Sequence, residues 1–131
     1  MMKRLLVPLD GDDAAETLLP LLRRLDGLGV WEITLLRTEM PVAVDEYAVV
    51  SEALLEEAKV FLERTRDSLR GLKARVKTLA RIGPTVATTL EVADETDATL
   101  IVTAIHRGTR FQRFLFGSAH LKKAEQSRGQ S

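Results

Sequence analysis

Apolar and polar positions follow one another along the chain in a pattern that predicts strands and helices in turn. Four short apolar runs are typical of buried strands: "KRLLVPLD" (3–10), "VWEITLLRT" (30–38), "ARVKTLARI" (74–82) and "DATLIVTA" (97–104). Between them, apolar residues recur at helical spacing in three stripes: Ala14, Leu18 and Leu22; Ala58, Phe61 and Leu62; Val86, Leu90 and Ala93. The order is therefore β-α-β-α-β-α-β, followed by a loop and a last helix.

This alternation predicts an α/β fold, with a parallel sheet covered by helices on both faces. In such sheets, ligands bind beyond the carboxyl ends of the strands. Three loops reach that edge: "LDGDD" after strand one, "RTEMP" after strand two and a basic stretch after strand four. We expect these loops to converge whatever the function is.

Composition narrows the class of protein. The chain has 131 residues, 45% hydrophobic and 29% charged, which fits one globular domain. No apolar run is long enough to span a bilayer, and the start "MMKRLLVPLDGDD" does not resemble a signal peptide. The absence of cysteine excludes disulfides and thiol chemistry, and two isolated histidines argue against a metal site. We expect a cytoplasmic protein that binds neither membranes nor nucleic acid.

Charge is unevenly distributed although the net charge is zero. The segment 105–131 carries a single acidic residue, Glu125, against six basic ones: Arg107, Arg110, Arg113, Lys122, Lys123 and Arg128. This asymmetry has two interpretations: an anion binds near the C-terminal end, or the segment forms a solvated basic face.

Four segments in order resemble the universal stress protein family: "LLVPLDGDDAAETLLPLLRRL", "ITLLRTEMP", "ARIGPTVATTLEVADETDATLIVTAIH" and "FLFGSA". The resemblance covers about residues 3–121 and leaves 122–131 as a polar tail. It implies a flavodoxin-like three-layer sandwich, of the kind also found in adenine-nucleotide alpha hydrolases. Some members bind ATP, with adenine near the first two strands and the phosphates on a loop of the form G-x-x-G-(nine residues)-G-[S/T].

This chain keeps only the second half of that loop. Ala104 and Arg107 stand where the family has glycines, whereas Gly117 and Ser118 match. Glycine lets backbone N–H groups approach a phosphate without an intervening Cβ. The guanidinium of Arg107 could replace those donors, or it could fill the site. We expect weak or absent binding of ATP or another adenine nucleotide.

The resemblance carries over further positions at the same edge. Asp10, after Pro8, matches the acidic residue beside the adenine, and it equally suits a simple loop cap. Thr38 matches the position whose backbone reads the adenine edge. His106 matches a frequent family histidine, although a surface loop histidine is the simpler interpretation. Ser118 suits either an anion contact at a helix N-terminus or an ordinary N-cap.

The chain lacks the apolar strand that normally follows the last helix in this family, since "LKKAEQSRGQS" is too polar for a core strand. We therefore predict four parallel strands in the order 3-2-1-4, with one edge of strand four open. An open apolar edge tends to pair with another chain. This predicts a homodimer or higher oligomer through that edge or through a surface formed by Phe111, Phe114 and Phe116.

These features predict a universal stress protein-like protein of the stress response without catalysis of its own. No Walker-type glycine-rich motif is present, and no histidine is placed beside a nucleophile. Asp10, Asp12 and Asp13 superficially resemble the acidic cluster of a phospho-acceptor signalling domain, but "LARIG" provides no aspartate at the end of strand three. The serious alternative is a module that binds no nucleotide and serves oligomerisation or an unidentified protein partner.

Overall fold

A computed structural model describes residues 3–40, 47–107 and 110–116 of the chain. These residues form eight elements: β1 (Lys3–Pro8), α1 (Asp12–Asp26), β2 (Val30–Glu39), α2 (Tyr47–Ser68), β3 (Arg75–Ile82), α3 (Thr85–Glu95), β4 (Leu100–Arg107) and β5 (Arg110–Phe116). The expected last helix from Gly117 and the polar tail 122–131 lie outside the described residues. Within the described part, no helix is long and apolar enough to cross a membrane.

The sheet has the strand order β3-β2-β1-β4-β5. Its first four strands are parallel, so the predicted α/β fold and the order 3-2-1-4 are confirmed. β1 pairs with β2 from Lys3 as far as Pro8, which lies opposite Leu36. It pairs with β4 at Leu5 and Leu6. The helices α1 and α2 pack on one face of the sheet and α3 packs on the other, which gives three layers.

The larger core lies between the sheet and the helices α1 and α2. Its buried members include Leu5, Val7, Ile33 and Leu35 from the sheet, Leu18 and Leu22 from α1, Phe61 and Leu62 from α2, and Leu69 just after α2. The helical stripes of α1 and α2 therefore face the sheet as their spacing predicted. Each fully buried leucine or isoleucine contributes about 1.5–3 kcal/mol relative to exposure.

The opposite face of the sheet packs against α3. Leu6, Leu36 and Ile101 form the smaller core with Val92 and Ala93. The stripe predicted for α3 was partly wrong, because Val86 is 66% exposed while the helix buries Thr88, Thr89, Val92 and Ala93. Val86 lies in the first turn of α3, close to the carboxyl edge of the sheet, where less of the sheet lies beneath it.

The structure corrects the prediction that strand four has an open edge. β5 pairs antiparallel with β4 along its whole length, from Ile101 opposite Phe116 to Arg107 opposite Arg110. The sheet thus has five strands among the described residues instead of four. The covering strand comes from the basic stretch that was expected to be a loop, and four of its seven residues are apolar: Phe111, Phe114, Leu115 and Phe116.

A buried carboxylate ties the far end of α1 to the start of β3. Asp26, only 9% exposed, accepts hydrogen bonds from the backbone N–H groups of Lys73 and Ala74, at 3.0 and 2.8 Å. Lys73 and Ala74 lie between the end of α2 and the start of β3, so their N–H groups are outside the helical hydrogen bonds of α2. The Asp26 carboxylate therefore fixes where β3 enters the sheet.

We expect Asp26→Ala to lower the free energy of unfolding by about 3 kcal/mol, because it leaves two backbone donors without an acceptor. Chemical denaturation measures this loss. Asp67→Ala is the matched control: its exposed ion pair with Arg70 spans 3.4 Å, and its removal should cost less than about 0.5 kcal/mol. Equal effects of the two changes would contradict the role given to Asp26.

The homo-oligomer remains a prediction, but the strand edge expected at its interface is that of β5 instead of β4. Among the described residues, β5 has a partner strand on one side only, so it is now the edge strand. We expect static light scattering to give a dimer or larger species, and Phe114→Glu to shift it toward monomer. A wild-type protein that stays monomeric at high micromolar concentration would refute this expectation.

Candidate functional site

The carboxyl ends of β1, β2 and β4 meet at one edge of the sheet, as expected from the sequence. Pro8 ends β1 opposite Leu36, and Asp10 follows as an exposed residue before α1. Continuation of the register brings Asp10 level with Thr38 of β2. Ala104 lies buried in β4, on the other side of β1. Four of the predicted site residues are thus gathered at this edge by the sheet alone.

The backbone of Thr38 points toward the open end of β1. In a parallel strand, the N–H and C=O groups of one residue face the same neighbour, and those of the next residue face the opposite one. The carbonyl of Leu36 accepts the N–H of Leu9 at 2.8 Å, and the carbonyl of Glu39 accepts the N–H of Gly83 at 2.9 Å. The N–H and C=O of Thr38 therefore face the β1 side, beyond the last paired residue of that strand.

A groove opens beside this edge, between α2, the end of β2 and Gly11, which precedes α1. It encloses about 540 Å³, within the range of small-molecule sites, and is lined by Gly11, Arg37, Glu56, Glu57, Val60, Phe61 and Arg64. Arg37 forms part of its floor: the guanidinium carbon lies 4.8 Å from the centroid of the Phe61 ring, and Nε donates to Glu39 Oε1 at 2.7 Å. A planar cation is suited to stacking on a flat ligand.

On the other face of the sheet, the start of α3 approaches the same strand end. The hydroxyls of Thr38 and Thr85 are hydrogen-bonded at 3.0 Å. Gly83, at the turn into α3, has a φ of +150°, and a Cβ there would lie 2.6 Å from Thr88 Oγ1. Glycine is therefore required at position 83 for β3 and α3 to come this close to the end of β2.

One pKa shift is resolved near this edge. The pKa of Arg81 lies above its ordinary value, chiefly because its side chain donates hydrogen bonds to Glu95 at 2.8 and 3.2 Å. Arg81 is therefore held in an ion pair between β3 and α3. Among the described residues, no group of three or more acidic or histidine side chains is arranged to hold a metal ion.

The stretch compared with the phosphate loop has a different backbone from the one expected. Ala104, His106 and Arg107 belong to β4 and pair with Arg113, Phe111 and Arg110 of β5. In an extended strand, successive N–H groups point to opposite sides, so they cannot converge on one phosphate as in a glycine-rich loop. Gly117 and Ser118 lie outside the described residues.

Sequence reasoning missed Arg37, Glu39 and Phe61. A signal was available: Ile33, Leu35 and Arg37 alternate on one face of β2, so a charged residue follows two core residues on the same face. A charge on the helix-covered face of a strand needs a partner, and Glu39 stands two residues later at the right place to provide it. The stacking on Phe61 could not be read from spacing.

The fold is that of α/β proteins whose parallel sheet is covered by helices on both faces. The model of the universal stress protein family matches residues 1–123, and the chain belongs to that family. None of the curated proteins compared with the chain matches it.

Solved structures share the fold. The hypothetical protein MJ0577 is 24% identical with a TM-score of 0.72, over 94% of this chain and 88% of that one. A universal stress protein family member from Burkholderia pseudomallei is 22% identical, with a TM-score of 0.61, over 76% and 78% of the two chains. A universal stress protein solved in complex with cAMP is 18% identical, with a TM-score of 0.60, over 77% and 75%.

We expect Gly83→Ala to lower the free energy of unfolding by roughly 1–3 kcal/mol, because the new Cβ meets Thr88 and the residue must keep a positive φ. Gly27→Ala is the matched control, since Gly27 has a φ of −65° and a Cβ there would meet only the Arg24 carbonyl oxygen, at 3.4 Å. Thermal and urea unfolding measure both. A Gly83→Ala protein as stable as the control would show that the approach of α3 is not tight.

Proposed function

We propose that this universal stress protein binds an adenine nucleotide by its adenosine end, weakly and without catalysis of its own, as a cytoplasmic stress-response protein. The proposal rests on one observation. In this chain the strand end that corresponds to the family's adenine site is open to a ligand, whereas the segment that corresponds to the family's phosphate loop is a paired strand. The end of β2 offers a free backbone edge beside a groove, whereas β4 is drawn into a hairpin where a phosphate loop was expected.

The adenosine half is supported by three groups at one edge. Thr38 directs an N–H donor and a C=O acceptor toward the end of β1, a pair that suits N1 and the 6-amino group of adenine. Asp10 lies level with it and can accept hydrogen bonds from ribose hydroxyls. The groove beside Arg37 has room for a nucleoside.

We attribute the weak nucleotide binding to the segment that corresponds to the family's phosphate loop. With Ala104 and Arg107 in a paired strand, backbone donors cannot surround a triphosphate, and only charge-assisted contacts from side chains remain. The universal stress protein with bound cAMP has a ligand with a single phosphate group, so a full triphosphate cradle is not needed for nucleotide binding by that protein. We infer that in this chain, too, nucleotide binding does not need a full triphosphate cradle and depends mainly on contacts to the nucleoside.

We expect the dissociation constants of ATP, AMP and adenosine to lie within about threefold of each other in isothermal titration calorimetry, since the triphosphate adds few contacts. Ala104→Gly combined with Arg107→Gly should raise ATP affinity about tenfold and leave adenosine unchanged. Glycine weakens the strand and restores the backbone freedom that a phosphate loop requires.

Arg113→Gly is the matched control, because it also places a glycine in the hairpin, opposite Ala104, but at no position of the family loop. It should leave both affinities unchanged. If wild-type protein strongly prefers ATP and the double change weakens binding, Arg107 is a phosphate ligand and the proposal is wrong. If no adenine compound binds, the module for oligomerisation or a protein partner becomes the better explanation.

A further inference from the structure

Contacts on three sides hold the backbone of Thr38, and the proposed function does not by itself assign them a role. On the α2 side, Arg37 and Glu39 are two residues apart on the same face, so their 2.7 Å ion pair spans Thr38. Their side chains are only 25% and 20% exposed, and the Arg37 guanidinium rests on the nearly buried Phe61 ring. This pair is therefore less screened by solvent than a surface ion pair.

The other two sides are closed by α3 and β3. The Thr38 hydroxyl bonds that of Thr85, and the next carbonyl along, that of Glu39, accepts the N–H of Gly83. Only the side that faces the end of β1 is left for a ligand. An edge held in this way keeps its N–H and C=O at a constant separation and direction.

We propose that Arg37 and Glu39 are positioning residues that hold the Thr38 backbone so that the site accepts adenine and rejects hypoxanthine. This inference rests on the proposed function, because it concerns the selectivity of the same edge. Neither side chain needs to contact the base, since both act through the peptide between them.

The chemistry of the two bases explains why a fixed edge is selective. Adenine presents an acceptor at N1 and a donor at its 6-amino group, which complement a fixed N–H and C=O in one order. Hypoxanthine presents a donor at N1 and an acceptor at O6, so the order is reversed. A rigid edge meets hypoxanthine with donor against donor and acceptor against acceptor, whereas a loosened edge can shift to relieve the mismatch.

The test compares adenosine and inosine binding to the full chain by calorimetry. We expect wild-type protein to prefer adenosine by about tenfold or more, and Arg37→Met to reduce that preference to about twofold or less. Glu39→Leu should act like Arg37→Met, while Glu39→Gln, which keeps an acceptor for the Arg37 Nε–H, should retain most of the preference. A purely stabilising role would change both affinities together and leave their ratio as it was.

Arg23→Met is the matched control, since it removes an arginine hydrogen bond to the Ser68 carbonyl far from the sheet edge. It should leave the ratio unchanged, and unfolding curves confirm that each variant is folded at the temperature of the titration. If wild-type protein binds neither nucleoside, the proposed function fails. If wild-type protein prefers adenosine and Arg37→Met prefers it equally, the proposed function survives and the positioning role is wrong.

Discussion

The burial of β1 on both faces is the constraint on which the ligand-facing edge depends. Leu5, Leu6 and Val7 are at most 1% exposed, with α1 and α2 on one side and α3 on the other. A shift of one residue would turn Leu5 and Val7 toward α3 and Leu6 toward α1 and α2, where the close-packed side chains do not match their shapes, so its register is strongly specified. Because β2 and β4 both pair with β1, its register also decides which of their residues reach the edge.

The end of β2 combines two demands that usually conflict. A ligand-reading backbone must leave its N–H and C=O unpaired, and an unpaired strand end tends to fray. Here the strand extends past its partner β1 while side-chain contacts on both faces and the pairing with β3 hold it. Arg37 links these demands, because its guanidinium stacks on the Phe61 ring and also pairs with Glu39.

The hairpin of β4 and β5 has consequences for both assembly and ligand affinity. It covers the edge of β4 within the same chain, which removes the simplest reason for a second copy to pair there. It also makes Ala104 and Arg107 part of an extended ladder, where the family resemblance predicted a phosphate loop. In the proposed function, this one local difference of backbone weakens the phosphate half of the site. It also moves the exposed strand edge outward to β5, which carries Arg110 and Arg113.

Strand and helix periodicities, which are local properties of the chain, predicted four parallel strands. The resemblance to the universal stress protein family implied their order and the convergence of Asp10, Thr38 and Ala104 at one edge. It also located the two missing glycines. Only the tertiary structure decided that residues 110–116 pair with β4, since an apolar and basic segment can form a loop or an edge strand with similar local preference. The same holds for the stacking of Arg37 on Phe61 and the burial of Thr88 and Thr89 instead of Val86. Those contacts join residues far apart along the chain, and how closely two helices and a sheet pack follows from the shapes of all their side chains together.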